Sequence, residues 1–365
     1  MEKMLDIYTD YLISSTGQTS AKGLSRLVDE AISHDSVTRF LTDIPYDSKL
    51  LWQSVKSLVR QHESEEACLV FDDCIIEKAY TDENPLICWH WDHAKQRNVK
   101  GINLLSAFYV TQKDGDSLPV RLPVGYELIL KTILFCTIKD KKAHRKSPVT
   151  KNELMQLMIQ QSIHNQLKFK YVLADSWFAS ADNMHFVAAK KKLFIFDLQD
   201  NRLALLAEGI NEKPNTKSPW TNIKLLDIPN NKPVKVWLKD MNFPVFVTKQ
   251  IFTDEEKQTT GLRFLVSNDF SLTDDQFTTI YKKRWGVEEY HKSLKQNASI
   301  AKSPTRTVNT QSNHLFCALW AYVKLEKLKF NTKLNHFQIK AKIYLKALKA
   351  AYEELAAINA LDSPA

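Results

Sequence analysis

Two wholly apolar runs, CLVF at 68–71 and YVLA at 171–174, each stop at aspartate: the first at Asp72-Asp73, the second at Asp175. A run without polar alternation reads as a buried strand, and an acid at its end projects into the crevice where α/β folds bind their ligands. One such acid is ordinarily a turn or helix-cap residue. Two in one block, with a helix-borne acid further on, indicate a site.

The rest of the chain falls around this block. Residues 1–62 read as helical, with apolar residues at helical spacing through Leu24, Leu27, Val28, Ala31 and Ile32. The pattern breaks at Ser33-His34-Asp35 and resumes with Val37, Phe40 and Leu41, and either Ser33 or Asp35 can cap the second helix. Helix, break and short helix suit a helix-turn-helix DNA reader and equally an ordinary bundle. Strand-like runs follow at 102–110 and 118–124, then a helix at about 151–165, a helix at about 180–191 and the strand LFIF. Short β-type runs separated by turn residues occupy 200–268, and everything from about Thr273 onward is helical, with an interruption near Lys302 to Thr310. The expected division is 1–62 helical and DNA-binding, 63–199 the first part of an α/β catalytic domain, 200–268 a β-rich insertion, 269–300 a helix completing that domain, and 301–365 a basic helical region.

Charge and composition narrow the function. Between Lys282 and Lys349 there are 15 Lys and Arg against three Glu and no Asp, a net +12; the chain as a whole carries +8. Such a concentration marks either a polyanion-binding region or solvated lysine-rich helices. The eight glycines form no phosphate-cradling loop, which argues against an NTPase or a dinucleotide enzyme and against a nucleotide cofactor. No run of about 18 apolar residues suggests a membrane span, and MEKMLDIYTDYL lacks the features of a secretory signal. The five scattered cysteines offer neither a disulfide framework nor a zinc site, so a cytoplasmic location is expected.

The third acid lies in YKKRWGVEEYHKSLK. On a continuous helix turning about 100° per residue, Tyr281, Arg284, Glu288 and Lys295 share a face roughly 60° wide, whereas Glu289 points about 80° away. A stripe of phenol, guanidinium, carboxylate and ammonium makes a poor core and a good surface for phosphates around a metal-binding acid. A helix of salt-bridging pairs is the competing reading, since Arg284 and Glu288 are also spaced i,i+4. Phosphodiester chemistry needs an activated oxygen nucleophile and charge relief on the leaving oxygen, which two Mg²⁺ ions about 3.5–4 Å apart supply. Carboxylates from separate elements suit Mg²⁺, with Mn²⁺ a possible substitute. His90 and His93, in WHWDH, read as structural or DNA-contacting residues, not metal ligands.

At these residues the sequence resembles bacterial DDE transposases of the insertion-sequence-four type. Their Y-x2-R-x3-E-x6-K motif falls on Tyr281, Arg284, Glu288 and Lys295; DSWF at Asp175 resembles the second-acid motif, and FDD at 71–73 resembles the first, usually written D-D-T. Cys74 stands where that Thr is usual, leaving Asp72 and Asp73 both open; Asp73 is favoured because it takes the place before the Thr. The resemblance covers roughly residues 66–300. It implies a ribonuclease-H-like mixed α/β sheet with a β-strand insertion, and Mg²⁺-dependent cutting of double-stranded DNA at transposon ends by Asp73, Asp175 and Glu288. Attack of the 3′-hydroxyl on target DNA follows, within a synaptic homodimer bound to terminal inverted repeats. It also implies phosphate contacts for Tyr281, Arg284 and Lys295. Some relatives stack a flipped base on an aromatic of the insertion, a place that Phe264, or else Trp237, approximately takes here, though either reads equally as a core aromatic, and Ser36 and Arg39 fall in a segment resembling the end-recognition region. A structure-specific nuclease on the same fold, or a DNA-binding derivative without catalysis, are the alternative functions.

Overall fold

The computed structural model describes residues 2–43, 45–93, 95–112, 118–137, 141–208, 212–254 and 259–361. Four helices come first: α1 (Glu2–Ser14), α2 (Ala21–Leu27), α3 (His34–Thr42) and α4 (Ser48–His62). Strands β1 (Cys68–Glu77), β2 (Cys88–Asp92), β3 (Arg97–Thr111) and β4 (Val120–Leu128) follow, then a small hairpin of β5 (Ile133–Cys136) and β6 (Ala143–Lys146). Helix α5 (Lys151–His164), β7 (Tyr171–Ala174), α6 (Ala181–Ala189) and β8 (Leu193–Leu198) alternate. A strand-rich stretch of β9 (Leu203–Leu206), β10 (Thr221–Asn222), β11 (Val234–Leu238), β12 (Val245–Asp254) and β13 (Thr259–Ser267) precedes α7 (Asp274–Lys282), α8 (Trp285–Gln296), α9 (Val308–Thr332) and α10 (His336–Leu361).

Local chemistry sets these boundaries. Ser33, Asp47, Thr150, Ser180, Thr273 and Thr307 each accept a backbone N–H of the first turn from the N-cap position, and Thr150 and Thr273 do so in full capping boxes with Glu153 and Gln276. One boundary differs from expectation. Helix α2 ends at Leu27, and Ala31 and Ile32 lie outside it, because Asp29 and Glu30 adopt left-handed backbone conformations (φ 50° and 63°) that no α-helix accommodates.

One mixed sheet carries nearly all the strands, in the order β10-β9-β11-β12-β13-β8-β7-β1-β3-β2, with β4 also paired to β3. Strands β1, β7 and β8 are mutually parallel, while β1, β3 and β4 form an antiparallel meander. The strand-rich stretch is not a separate module: β13 pairs antiparallel with β8, so it prolongs the same sheet. Helices cover both faces. Ala107 and Gly125 lie against Met158 of α5 and Ser48 of α4, whereas the neighbouring residues of β3, Ser106 and Phe108, meet Tyr290 of α8.

The first and last helical regions pack on each other. Tyr8 bonds His314 (3.0 Å), Ser299 donates to the Leu12 carbonyl (2.8 Å), Lys324 pairs with Asp6 (2.8 Å), and Asn313 accepts from the Tyr46 backbone (2.9 Å). Their apolar residues join one continuous core with the sheet. No helix among the described residues is long and apolar enough to cross a membrane.

Candidate active site

The parallel pairing of three neighbouring strands stops at one level. Phe71 of β1 is in register with Ala174 of β7, and Ala174 with Phe196 of β8. The next residues are Asp72, Asp175 and Asp197, so three carboxylates line the carboxyl edge of the parallel strands. Asp197 went unremarked in the sequence although LFIF-Asp repeats the pattern of an apolar run ending in aspartate.

Alternation along β1 sends Asp72 and Asp73 to opposite faces. Asp72 pairs in register with Ser106, whose hydroxyl is 3.3 Å from that of Tyr290 on α8, so Asp72 belongs to the α8 face. Its Oδ2 lies 3.8 Å from Arg284 and 3.9 Å from His291. Asp73 turns towards α5, accepting from Lys151 Nζ and Asn103 Nδ2, each at 2.8 Å. The sequence favours Asp73 as the first acid; the geometry puts Asp72 on the side of Glu288.

The Tyr281–Lys295 motif is carried on two helices. Between α7 and α8 the bonds run i to i−3, from Lys283 to Ile280, Arg284 to Tyr281 and Val287 to Arg284, tightening the turn at Arg284. The single-helix phase expected for Tyr281 therefore does not carry through. Tyr281 is buried and donates to the Ala174 carbonyl (3.4 Å), the residue before Asp175. Arg284 still meets Glu288, at 3.5 Å, one helical turn on. Glu289 points elsewhere and pairs with Arg121 of β4. Lys295 is exposed on the last turn of α8, near enough to Cys74 and His291 for its charge to oppose the rise that burial imposes on the Cys74 thiol and to add to the fall that burial imposes on His291.

The electrostatics are those of crowded acids with one central cation. Burial, then the charge of Asp175, pushes Asp72 up to about 8, with Glu288 and Asp73 adding to the rise and Arg284 opposing it. Asp175 is raised by burial and by Asp73, and Asp197 by burial, each with Arg284 opposing. Burial works against the charge on Arg284, but Tyr281, Asp72, Glu288 and Asp175 together raise its pKa. His291, held at about 3 by burial and Lys295, is neutral, and its Nε2 is a buried nitrogen without a hydrogen-bond partner.

All the acids offer hard carboxylate oxygens, the donors a divalent cation such as Mg²⁺ prefers, and their mutual repulsion is what such a cation would relieve. Among the described residues no three His, Cys, Asp or Glu are already grouped closely enough to hold a metal. Glu288 is engaged with Arg284, and Asp73 with Lys151.

Other expected contacts sit differently. Phe264 is 1% exposed, locked in β13 between β8 and β12, and Trp237 is 5% exposed in β11. As correction to the stacking expectation, neither offers a ring face to a base, because both are sealed within the core. Exposed rings lie instead beside the acids: Trp177, 50% exposed two residues after Asp175, has Lys151 4.7 Å over its ring and His93 5.7 Å away, with Trp91 6.4 Å beyond. The sequence did not single out Trp177 or Lys151. His90 is buried against Cys88 (3.5 Å), as a structural histidine would be. On α3, Arg39 is exposed and Ser36 is half-buried with its hydroxyl on Ser33 (2.9 Å).

Residues 142–324, half of the chain, match the transposase DDE domain family. The chain belongs to that family, which makes it a DNA-binding, DNA-cleaving enzyme class that works with divalent metals. The match takes in Asp175, Asp197 and the Tyr281–Lys295 motif and begins after β1. No curated protein matches the chain.

Proposed function

We propose that the chain is a DNA transposase of the insertion-sequence-four type, which binds terminal inverted repeats, cuts at the element's ends and joins the 3′-hydroxyl to target DNA. The observation that carries this reading is the convergence of Asp72, Asp175 and Glu288 on Arg284, from two strands and a helix far apart in sequence. Family membership supports the class, and the strand order β8-β7-β1-β3-β4 supports a ribonuclease-H-like domain.

Asp72, Asp175 and Glu288 would hold the divalent ions, taken as Mg²⁺, with Asp73 orienting Lys151 at the rim. Bound metal supplies nucleophile activation and charge relief on the leaving oxygen. The chain's own groups supply position. Arg284 and Lys295 present cations to the DNA backbone next to the cut, and Tyr281 fixes the strand end that carries Asp175. If a base leaves the stack, Trp177 offers an open ring two residues after Asp175, and Arg39 and Ser36 on α3 are contacts for end recognition.

The test is incubation with Mg²⁺, labelled DNA carrying the sequences that flank the gene, searched for terminal inverted repeats, and a target plasmid. Ends joined to the plasmid are expected. Cuts without joining would instead establish a structure-specific nuclease, and retarded but intact DNA a binding protein.

A further inference from the structure

The exposed rings of the WHWDH segment have no role in the catalytic reading. Strand β2 alternates between buried and exposed, with Cys88 and His90 inside and Trp89 and Trp91 outside. Register sets Glu77, Gly101 and Cys88 abreast, so Cys88 and His90 share the face of Asp73, and Trp89 and Trp91 share that of Asp72. The two indoles are 53% and 48% exposed. Alternate residues of a strand stand about 6.6 Å apart along it.

A single exposed tryptophan is ordinary. Here the rings continue. Trp91 is 6.4 Å from His93, in the turn after β2, and His93 is 5.7 Å from Trp177, which carries Lys151 4.7 Å over its ring. Lys151 also holds Asp73 at 2.8 Å, so the line ends at the acids. Lysines flank its other end: Lys100 is in register with Trp89, and the Lys131 ammonium donates to the Trp89 carbonyl (2.6 Å).

We propose that this line of rings is a track for an unpaired DNA strand, whose bases stack on Trp89, Trp91 and Trp177 while the lysines meet its phosphates. Aromatic faces interleaved with cations recognise single strands whatever their sequence, because every base has a face to stack. The shape of the line favours a single strand over a duplex. It leaves the Asp72 face, rounds the end of β2 and arrives beside α5, where Lys151 opens that helix. A duplex is too stiff to turn within so short a path, whereas a single strand follows it. The purpose of the track rests on the DNA-cutting reading: it holds a strand parted from its complement next to the acids. The ring of Trp177, taken above by itself, becomes the last step of a longer surface.

Binding in chelator tests the track without reference to cutting. The probe is a fluorescently labelled oligothymidylate about ten nucleotides long, read by anisotropy against a labelled duplex of the same length. Trp89→Ala with Trp91→Ala should weaken binding of the oligothymidylate by about thirtyfold or more, the loss of two stacked bases, and leave duplex binding as in the wild type. Both indoles are about half exposed, so the fold is retained, as circular dichroism will report. Trp91→Phe should keep most of the affinity and Trp91→Leu should lose it, since a ring face and not apolar bulk is what a base needs. Lys100→Gln should lower the slope of log affinity against log salt by about 0.7, as for one lost phosphate contact to a single strand. Undiminished oligothymidylate binding by the double variant, an equal loss on the duplex, or equal binding by Trp91→Leu and Trp91→Phe would overturn the proposal. So would a double variant that changes only its sedimentation, the mark of a face that docks protein. Binding through these rings by a chain that cuts no DNA would leave the track standing and sink the catalytic reading instead.

Discussion

The guanidinium of Arg284 stands 3.8 Å from the carboxylate of Asp72, joining the start of α8 to β1, the strand between β7 and β3. The same side chain meets Glu288 at 3.5 Å and carries a charge that opposes the raised pKa values of Asp72 and Asp175. It acts as an internal counter-ion for an acid cluster. Arg284→Gln should therefore destabilise the protein by roughly 3 kcal/mol in the presence of chelator, as expected for an uncompensated, largely buried charge. Saturating Mg²⁺ should shrink that difference. Urea denaturation with and without Mg²⁺ reads it, and an equal loss under both conditions would deny Arg284 the balancing role.

The two adjacent aspartates should separate in function. Asp72→Asn should abolish DNA cutting and also the Mg²⁺-induced rise in melting temperature. Asp73→Asn, which loosens Lys151 and Asn103 on the other face, should lower the rate but keep the thermal response. Single-turnover cutting and thermal shifts on both variants decide this. The reverse assignment would restore Asp73, the choice the D-D-T resemblance favours.

Aromatic residues of the two settings should also differ. Phe264→Ala should cost about 3–5 kcal/mol of stability because it leaves a cavity in the core. Phe264→Leu should retain both fold and cutting. Trp177→Ala should leave stability nearly unchanged and weaken binding of DNA with an unpaired base near the cut, by the roughly 1–3 kcal/mol that stacking one base contributes. Equal binding of paired and unpaired substrates by Trp177→Ala would remove the ring from the site.

His314 gives a pH signature. Its Nδ1 accepts from Tyr8, its Nε2 faces the Ser299 carbonyl, and burial holds its pKa at about 4 against an ordinary 6.5. The folded chain thus resists a proton that the unfolded chain accepts. Stability from this residue is complete above pH 6.5 and is lost as pH falls towards 4, by roughly 3 kcal/mol in all. Compared with His314→Gln, the wild type should lose its advantage across that window, measured by urea denaturation at pH 7 and pH 4.5. A constant difference between the two would contradict the assignment.

Much of this is legible in the amino-acid sequence. Apolar runs ending in acid located β1 and β7 and their carboxylates, because a strand buried on both faces leaves no periodic ambiguity. The same pattern stands at LFIF-Asp197. The i,i+4 step from Arg284 to Glu288 survived, whereas the phase of Tyr281 did not, because the i to i−3 bonds at Arg284 break the regular turn that the spacing argument assumes. The choice between Asp72 and Asp73 was beyond sequence alone: strand alternation makes them opposites, but only the packing of α8 says which face is which. Nor could composition show that Phe264 is a core residue and Trp177 an open one, since burial depends on the neighbouring strands. The packing of α1 and α3 onto α9 joins segments about 300 residues apart, a contact with no local signature.

The central claim is that Glu288, not its neighbour Glu289, completes an acid site with Asp72 and Asp175. The direct measurement is Mg²⁺-dependent cutting of inverted-repeat DNA by Glu288→Gln and Glu289→Gln, with binding of the same DNA checked in parallel. Glu288→Gln should bind normally and cut at least about a thousandfold more slowly, a loss of some 4 kcal/mol in the barrier. Glu289→Gln, which loses only the pairing with Arg121, should cut nearly as well as the wild type. An inactive Glu289→Gln beside an active Glu288→Gln would contradict the account.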